Sequence, residues 1–289
     1  MANNGLDFAI STRGDIGDKM QFNLMLNSSF LNNEITALAP GIDFFDTGSY
    51  RGIQPVRNAV GQSISSFFGY DVIGYFNSQA EVDSAPAQVG AGIGRFRYAD
   101  VNGDGAITPD DRTFIGSPVP DYTGGLTFDL YAGNFEMTMM WYWSIGNEIF
   151  NQRKWFTDFF GSFEGSAKGA AAFNSWTPEL GNNAAAPIWE SASNLSTNGA
   201  SNSWYVEDGS FARLQMLSLA YNFDRDKIEQ FGLSKLKLGV SANNVWTITG
   251  YEGLDPMVAG PDTNFGIDVG NFPVTPSYLF NLELGILGL

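Results

Sequence analysis

The chain's 289 residues carry 31 Asp and Glu against 15 Lys and Arg, a formal net charge of −16, which excludes nucleic acid as a partner because phosphate binding needs a basic surface. There is no cysteine and no histidine, which removes thiol chemistry, disulfides, most zinc sites and the Ser–His and Cys–His pairs. An enzyme would have to run on carboxylates, Lys, Tyr or a hard metal ion, so a non-enzyme is expected.

Apolar residues recur with a period of two, the signature of half-exposed strands. In chain order, "GLDFAISTR" comes first, followed by "KMQFNLMLNSSF", with Met20, Phe22, Leu24, Leu26 and Phe30 on one face. Next, Tyr122, Leu126, Phe128 and Leu130 align against Thr123, Thr127 and Asp129. The stretch "NFEMTMMWYWSIG" places Phe135, Met137, Met139, Trp141 and Trp143 opposite Glu136, Thr138 and Tyr142. Three more segments align Leu217, Leu219 and Tyr221, then Leu236, Leu238, Val240 and Trp246, and finally Tyr278, Phe280, Leu282 and Leu284.

Seven such segments suit either a soluble β-sandwich or a transmembrane barrel. Three features favour the barrel. Segments of roughly ten residues are long for a sandwich, aromatics crowd the strand ends as in "WYWSIG" and "NNVWT", and short links alternate with long ones. The short links are 14–19, the Ala132–Gly133 turn and Asp224–Ser234; the long ones run over about 34–121, 147–207 and 247–275. The predicted fold class is therefore all-β: the C-terminal part of a transmembrane antiparallel β-barrel with long extracellular loops. An odd strand count and no signal peptide in "MANNGLDFAIS" suggest that further strands precede residue 1. Residues 35–121 are expected to form a long extracellular loop region.

Within that region, "DVNGDGAITPDD" has the spacing of a calcium loop. Asp100, Asn102 and Asp104 supply side-chain oxygens, Gly105 the sharp turn, Ala106 a backbone carbonyl, and Asp111 the twelfth position. Bound Ca2+ would be structural. The alternative is an Asn-Gly/Asp-Gly turn with solvated carboxylates. Trp155, Phe156 and Phe159, in the second long loop, are candidates for stacking on a ligand, or else pack against neighbouring loops. Glu207 and Asp208 are adjacent on one strand and so point to opposite faces, which argues against paired acid–base work; Arg213 is expected to face the lumen. "NLSTNGASNS" and "AKGAAAF" are expected to be flexible loop or short helical segments.

Five stretches occur in a fixed order: "GQSISSFFGYDVIGYF", "GRFRYADVNGDGAITPDDRTFIGSPVPDYTGGL", "FNSWTPE", "YVEDGSFARLQMLSLAYNF" and "NNVWTITGYEGLDPMV". Together they resemble the C-terminal portion of SusC/RagA-type TonB-dependent outer-membrane transporters of Bacteroidetes. The resemblance implies a 22-stranded barrel with an N-terminal plug, import of glycans or peptides driven by the TonB complex, outer-membrane lipid around the wall, and a SusD-like surface lipoprotein as lid. Neither plug nor TonB-contacting box is visible in the 289 residues, so this stretch alone is expected not to be transport-competent. The rival reading is a stand-alone secreted or surface β-protein that binds calcium and carbohydrate.

Overall fold

The computed structural model describes residues 1–162, 165 and 167–287. Each predicted alternating segment forms a strand. These are β1 (Ala2–Ile16), β2 (Met20–Glu34), β3 (Tyr122–Ala132), β4 (Phe135–Ile145), β5 (Phe211–Asn222), β6 (Leu233–Thr249) and β7 (Ser277–Ile286). They form one sheet in sequence order, and every neighbouring pair is antiparallel. Each has at least the nine to eleven residues or so that a tilted strand needs to cross a bilayer.

At one end of the sheet the links are tight. Gly17 and Gly133 take left-handed φ angles of 63° and 60°, which a two- or three-residue reversal requires and a side chain resists. The third link winds through a short helix at Arg225–Ile228 and stops at Gly232, whose φ is 74°. All three long connections leave from the other end.

The register lays one apolar stripe after another across the whole sheet. One rung runs Ile10–Leu26–Leu126–Trp141–Leu214–Trp246; another runs Phe22–Leu130–Met137–Leu219–Val240–Phe280. The opposite face carries Asn23–Asp129–Thr138–Ser218–Ser241. There Asn23 Nδ2 donates to Asp129 at 3.3 Å, Thr138 Oγ1 to Asp129 at 2.8 Å, and Ser241 Oγ to Ser218 at 2.9 Å. Glu136 accepts from Asn222 Nδ2 at 2.6 Å and pairs with Lys237.

One irregularity keeps the stripes in phase. Met140 pairs with Met216 but Trp141 with Leu214, so Gln215 is an extra residue, and Asn244 on the facing strand has φ 54°. The bulge puts Leu214 and Leu217, three residues apart, on the same apolar face.

The apolar face is bare: Phe135, Leu219, Val240, Trp246 and Phe280 are all exposed. The buried core lies in the long connections instead, where Phe67, Phe96, Tyr98, Phe150 and Tyr205 pack with under 3% exposure. Small sheets build this outer body. One has four strands (Phe44–Thr47, Val56–Ala59, Phe67–Gly69, Thr113–Gly116), and two-stranded pairs join Val72–Tyr75 to Phe96–Tyr98 and Glu148–Phe150 to Val206–Asp208. A sandwich would bury the apolar face of its large sheet; this chain leaves that face open and folds its loops around a separate core.

Candidate functional site

The calcium-type loop leaves the short Phe96–Tyr98 strand and ends in a 3-10 turn at Pro109–Asp111. Asp100 Oδ1 accepts from Gly103 N at 2.7 Å and Asp104 N at 3.2 Å, and its Oδ2 accepts from Gly105 N at 2.9 Å. Asn102 Oδ1 accepts from Asp104 N, and Asp104 Oδ1 from Ala106 N, both at 2.9 Å. Gly103 and Gly105 allow this winding through φ angles of 73° and 85°.

Asp111 does different work. It is fully buried, and its two oxygens accept from Val101 N at 3.0 Å, Asn102 N at 3.4 Å, Thr108 N at 2.7 Å and Thr108 Oγ1 at 3.3 Å. Burial pushes its carboxyl up, but these donors outweigh burial and hold it below the usual carboxylate range. Ile107 anchors the loop in the core, and its N–H donates to Ala87 O at 2.9 Å while Gly105 O accepts from Ala87 N; the Ala106 carbonyl takes no part in that bridge. Among the described residues no three acidic side chains gather into a metal-holding group.

The three aromatic candidates separate. Trp155 and Phe156 stand near the surface around Arg51, whose guanidinium lies 5.8 Å and 5.6 Å from their ring centroids. Trp155 Nε1 donates to Asn198 O at 3.1 Å. Phe159 is a correction to the expectation of ligand stacking: it is buried, edge-on to Phe96 at 6.3 Å and to Trp204 at 5.3 Å, and forms part of the core. In its place, the neighbouring Phe160 faces solvent.

"NLSTNGASNS" is not a flexible segment either. Ser196, Thr197, Asn198, Ser201 and Asn202 are all buried. Asn202 Nδ2 donates to Tyr98 Oη at 3.1 Å, and Ser201 Oγ to Phe68 O at 2.8 Å. Small polar side chains here satisfy the backbone of the aromatic core, so composition alone reads as a loop while the fold is ordered. Glu207 is structural too, pairing with Lys154 Nζ at 3.0 Å and accepting from Glu252 N at 3.1 Å.

Arg213 lies on the polar face of β5 and is almost wholly buried. Its guanidinium donates to Asp255 Oδ1 at 2.7 Å and to Thr247 Oγ1 at 2.9 Å. Asp255 also accepts from Met257 N at 2.8 Å and Val274 N at 2.9 Å, so one carboxylate closes both ends of the third long loop onto the sheet. Burial raises the Asp255 carboxyl, and the Arg213 bond with the two N–H donors reverses that to a net lowering.

No protein-family model matches the chain. Among curated proteins, TonB-dependent receptor P3 of Formosa agariphila is 30% identical over 98% of this chain and 28% of its own length. TonB-dependent receptor P26 of the same organism is 31% identical over 94% of the chain and 27% of its length. TonB-dependent receptor SusC of Bacteroides thetaiotaomicron is 24% identical over 98% of the chain and 26% of its length. Among solved structures, that of the RagAB peptide transporter superposes with a TM-score of 0.73 at 19% identity, over 98% of this chain and 29% of that one. Over almost its whole length the chain is similar to TonB-dependent receptors of the SusC/RagA type.

The chain is an outer-membrane protein, and its seven-stranded sheet is β-barrel wall. The bare apolar stripe is the lipid face, and the Asn23–Ser241 rung faces the lumen. The chain spans little more than a quarter of the length of these receptors.

Proposed function

We propose that this chain forms seven strands and the outer loop body of an importer of glycans or peptides. It works with a SusD-like surface lipoprotein seated over the loops and is energised by the TonB complex through parts of the protein outside these residues. The chain is not itself an enzyme and by itself does not transport. The observation that carries this reading is the continuous apolar face across seven strands, capped at one end only by a body with its own core. In lipid, the free edges of β1 and β7 need further strands to satisfy their backbone groups. The rival reading of a stand-alone β-protein is disfavoured by the same uncovered face.

Two measurements test it. The full-length protein should sediment with outer membranes and migrate anomalously in unheated detergent gels, and full solubility without detergent would rule the barrel out. A strain lacking the gene should lose uptake of a labelled oligosaccharide or peptide that its parent takes up.

In this reading the 100–111 loop takes up calcium through Asp100, Asn102, Asp104 and the Ala106 carbonyl, while Asp111, its oxygens engaged by four protein donors, holds the loop closed. Support comes from the three side chains sharing one tight turn. Added calcium should protect residues 94–121 from proteolysis, and identical digestion in calcium and in EDTA would dismiss the ion.

A further inference from the structure

The lipid face is not flat where it approaches the tight links. Phe135 opens β4 and stands 62% exposed, its ring edge-on to Tyr221 at 4.8 Å. Three strands along, Phe280 of β7 is 87% exposed. Between these rings lie the shorter side chains of Leu219, Leu238 and Val240, which floor an apolar furrow of about 440 Å³. Bilayer lipid covers the whole face, but an acyl chain in the furrow has packing partners on three sides rather than one.

The furrow opens toward charged groups. Phe135 is the first residue of β4 and Tyr221 the last but one of β5, so the mouth lies at the link of residues 223–232. That link carries Arg225 and Lys227 against Asp224, Asp226 and Glu229. Lys227 Nζ donates to Asp224 Oδ2 at 2.5 Å, and Arg225 Nε and Nη2 donate to Glu229 Oε1 at 3.3 Å and 3.2 Å. Both cations are mostly exposed; Lys227 keeps two further donor hydrogens and Arg225 keeps Nη1. Asp226 is exposed and pairs with no cation among the described residues. Asp224 raises the Lys227 ammonium above its ordinary value, and the nearby Tyr221 phenol adds to the rise, so a full positive charge stands beside the furrow's mouth.

The link is fixed in place. Ile228 is buried, and Gly232 O accepts from Leu287 N at 3.0 Å. Phe231 on the same link is 74% exposed, a ring that suits the membrane interface and not bulk water.

We propose that the furrow holds one acyl chain of a phosphatidylethanolamine molecule whose headgroup rests on the 223–232 link. The phosphate accepts from Lys227 and Arg225, and the primary ammonium donates to Asp226. The sign pattern selects this headgroup. Two cations against three carboxylates leave the link net negative, so a singly anionic headgroup meets net repulsion. A zwitterion sets each of its charges against an opposite one, and a primary ammonium has N–H donors that a quaternary one lacks. The proposal goes beyond transport and uses the importer reading only to put the tight links in the periplasm, at the inner leaflet.

The test uses the full-length protein, extracted in detergent, stripped of lipid and titrated by native mass spectrometry. The probes are dioleoyl phosphatidylethanolamine, phosphatidylglycerol and phosphatidylcholine. The first should be retained at least fivefold better than the other two. Lys227→Ala should cut its retention several-fold and Lys227→Ala with Arg225→Ala at least tenfold. Lys19→Ala, which removes a cation from the first tight link, should change nothing. Leu238→Trp fills the furrow and should cut retention several-fold with both cations intact. Heat-modifiable migration of each variant confirms folding. Equal retention of the three lipids overturns the site, as does a preference for phosphatidylglycerol or a loss in Lys19→Ala equal to that in Lys227→Ala. A dimer mass that Leu238→Trp abolishes overturns lipid as the occupant and gives the furrow to a second copy of the protein. No selectivity in a protein that still imports its cargo overturns the site and leaves the importer standing. Selective retention by a barrel that imports nothing supports the site and defeats the importer reading.

Discussion

Asp111→Ala is the substitution that best separates the structural work of the 100–111 loop from metal binding. Its carboxylate is the fully buried acceptor for three backbone N–H groups and one hydroxyl. Bonds to a charged acceptor contribute about 1.5–3 kcal/mol each, and an orphaned buried donor costs about 1–3 kcal/mol. Two of the four bonds are long or bent toward a hydroxyl, and such contributions are not additive. A loss of roughly 3–5 kcal/mol in local stability is therefore expected, equivalent to about two to four decades of amide-exchange protection. Asp111→Asn keeps one acceptor oxygen but turns an amide toward a donor, so about half that loss is expected. Hydrogen exchange of a peptide covering 96–116, in the full-length protein, reads both. The loss should be present in EDTA, because the staple is made of protein donors only. Its pH dependence follows from the lowered carboxyl: the contribution is fully present above the ordinary Asp value of about 3.9 and disappears only as pH falls through the lower folded value. Protection in EDTA that is indifferent to Asp111→Ala would refute the staple.

Three further outcomes are expected. Leu217→Arg places a charge on the lipid face at mid-strand and should cost about 2–4 kcal/mol, whereas Ser218→Arg on the lumen face should cost far less; urea unfolding from vesicles compares them, and equal costs would invert the assignment of faces. Breaking one partner of the buried Arg213–Asp255 pair should cost about 3–5 kcal/mol, so Arg213→Met should speed proteolysis within 250–276; a double variant with Asp255→Asn no worse than either single one would show the coupling, and strictly additive losses would deny it. At Gly124 an added Cβ would sit 2.6 Å from the Trp143 indole, so Gly124→Val should lower the yield of heat-modifiable barrel, and a normal yield would mean that Trp143 has room to move.

The strands were legible in the sequence because a two-faced sheet writes its surroundings into every second residue. Leu236, Leu238 and Val240 alternate with Lys235 and Lys237 because one row meets lipid and the other the lumen. The outer body obeys no such rule. Its strands are three or four residues long, and Phe67–Gly69 is buried on both sides, so it offers nothing to alternate. Phe159 and Phe160 show the limit most clearly: adjacent, chemically identical, one in the core and the other in solvent. Only the partners Phe96, Trp204 and Trp189, distant in sequence, distinguish them. The calcium-type spacing was legible as a motif, but the inward turn of Asp111 depends on the Thr108 cap, which the twelve-residue pattern does not encode.

The outer body also dictates an order of events in biogenesis. Asn58 Nδ2 donates to Thr263 O across 205 residues, and Ser65 Oγ to Asp262 O across 197. Those bonds cannot form until the first and the last long connections have reached the same side of the membrane. Closing such long loops is slow, and until then the core lacks Ile267, which packs against it. The interval before β7 arrives is therefore when a periplasmic chaperone or the insertion machinery has most reason to hold this chain.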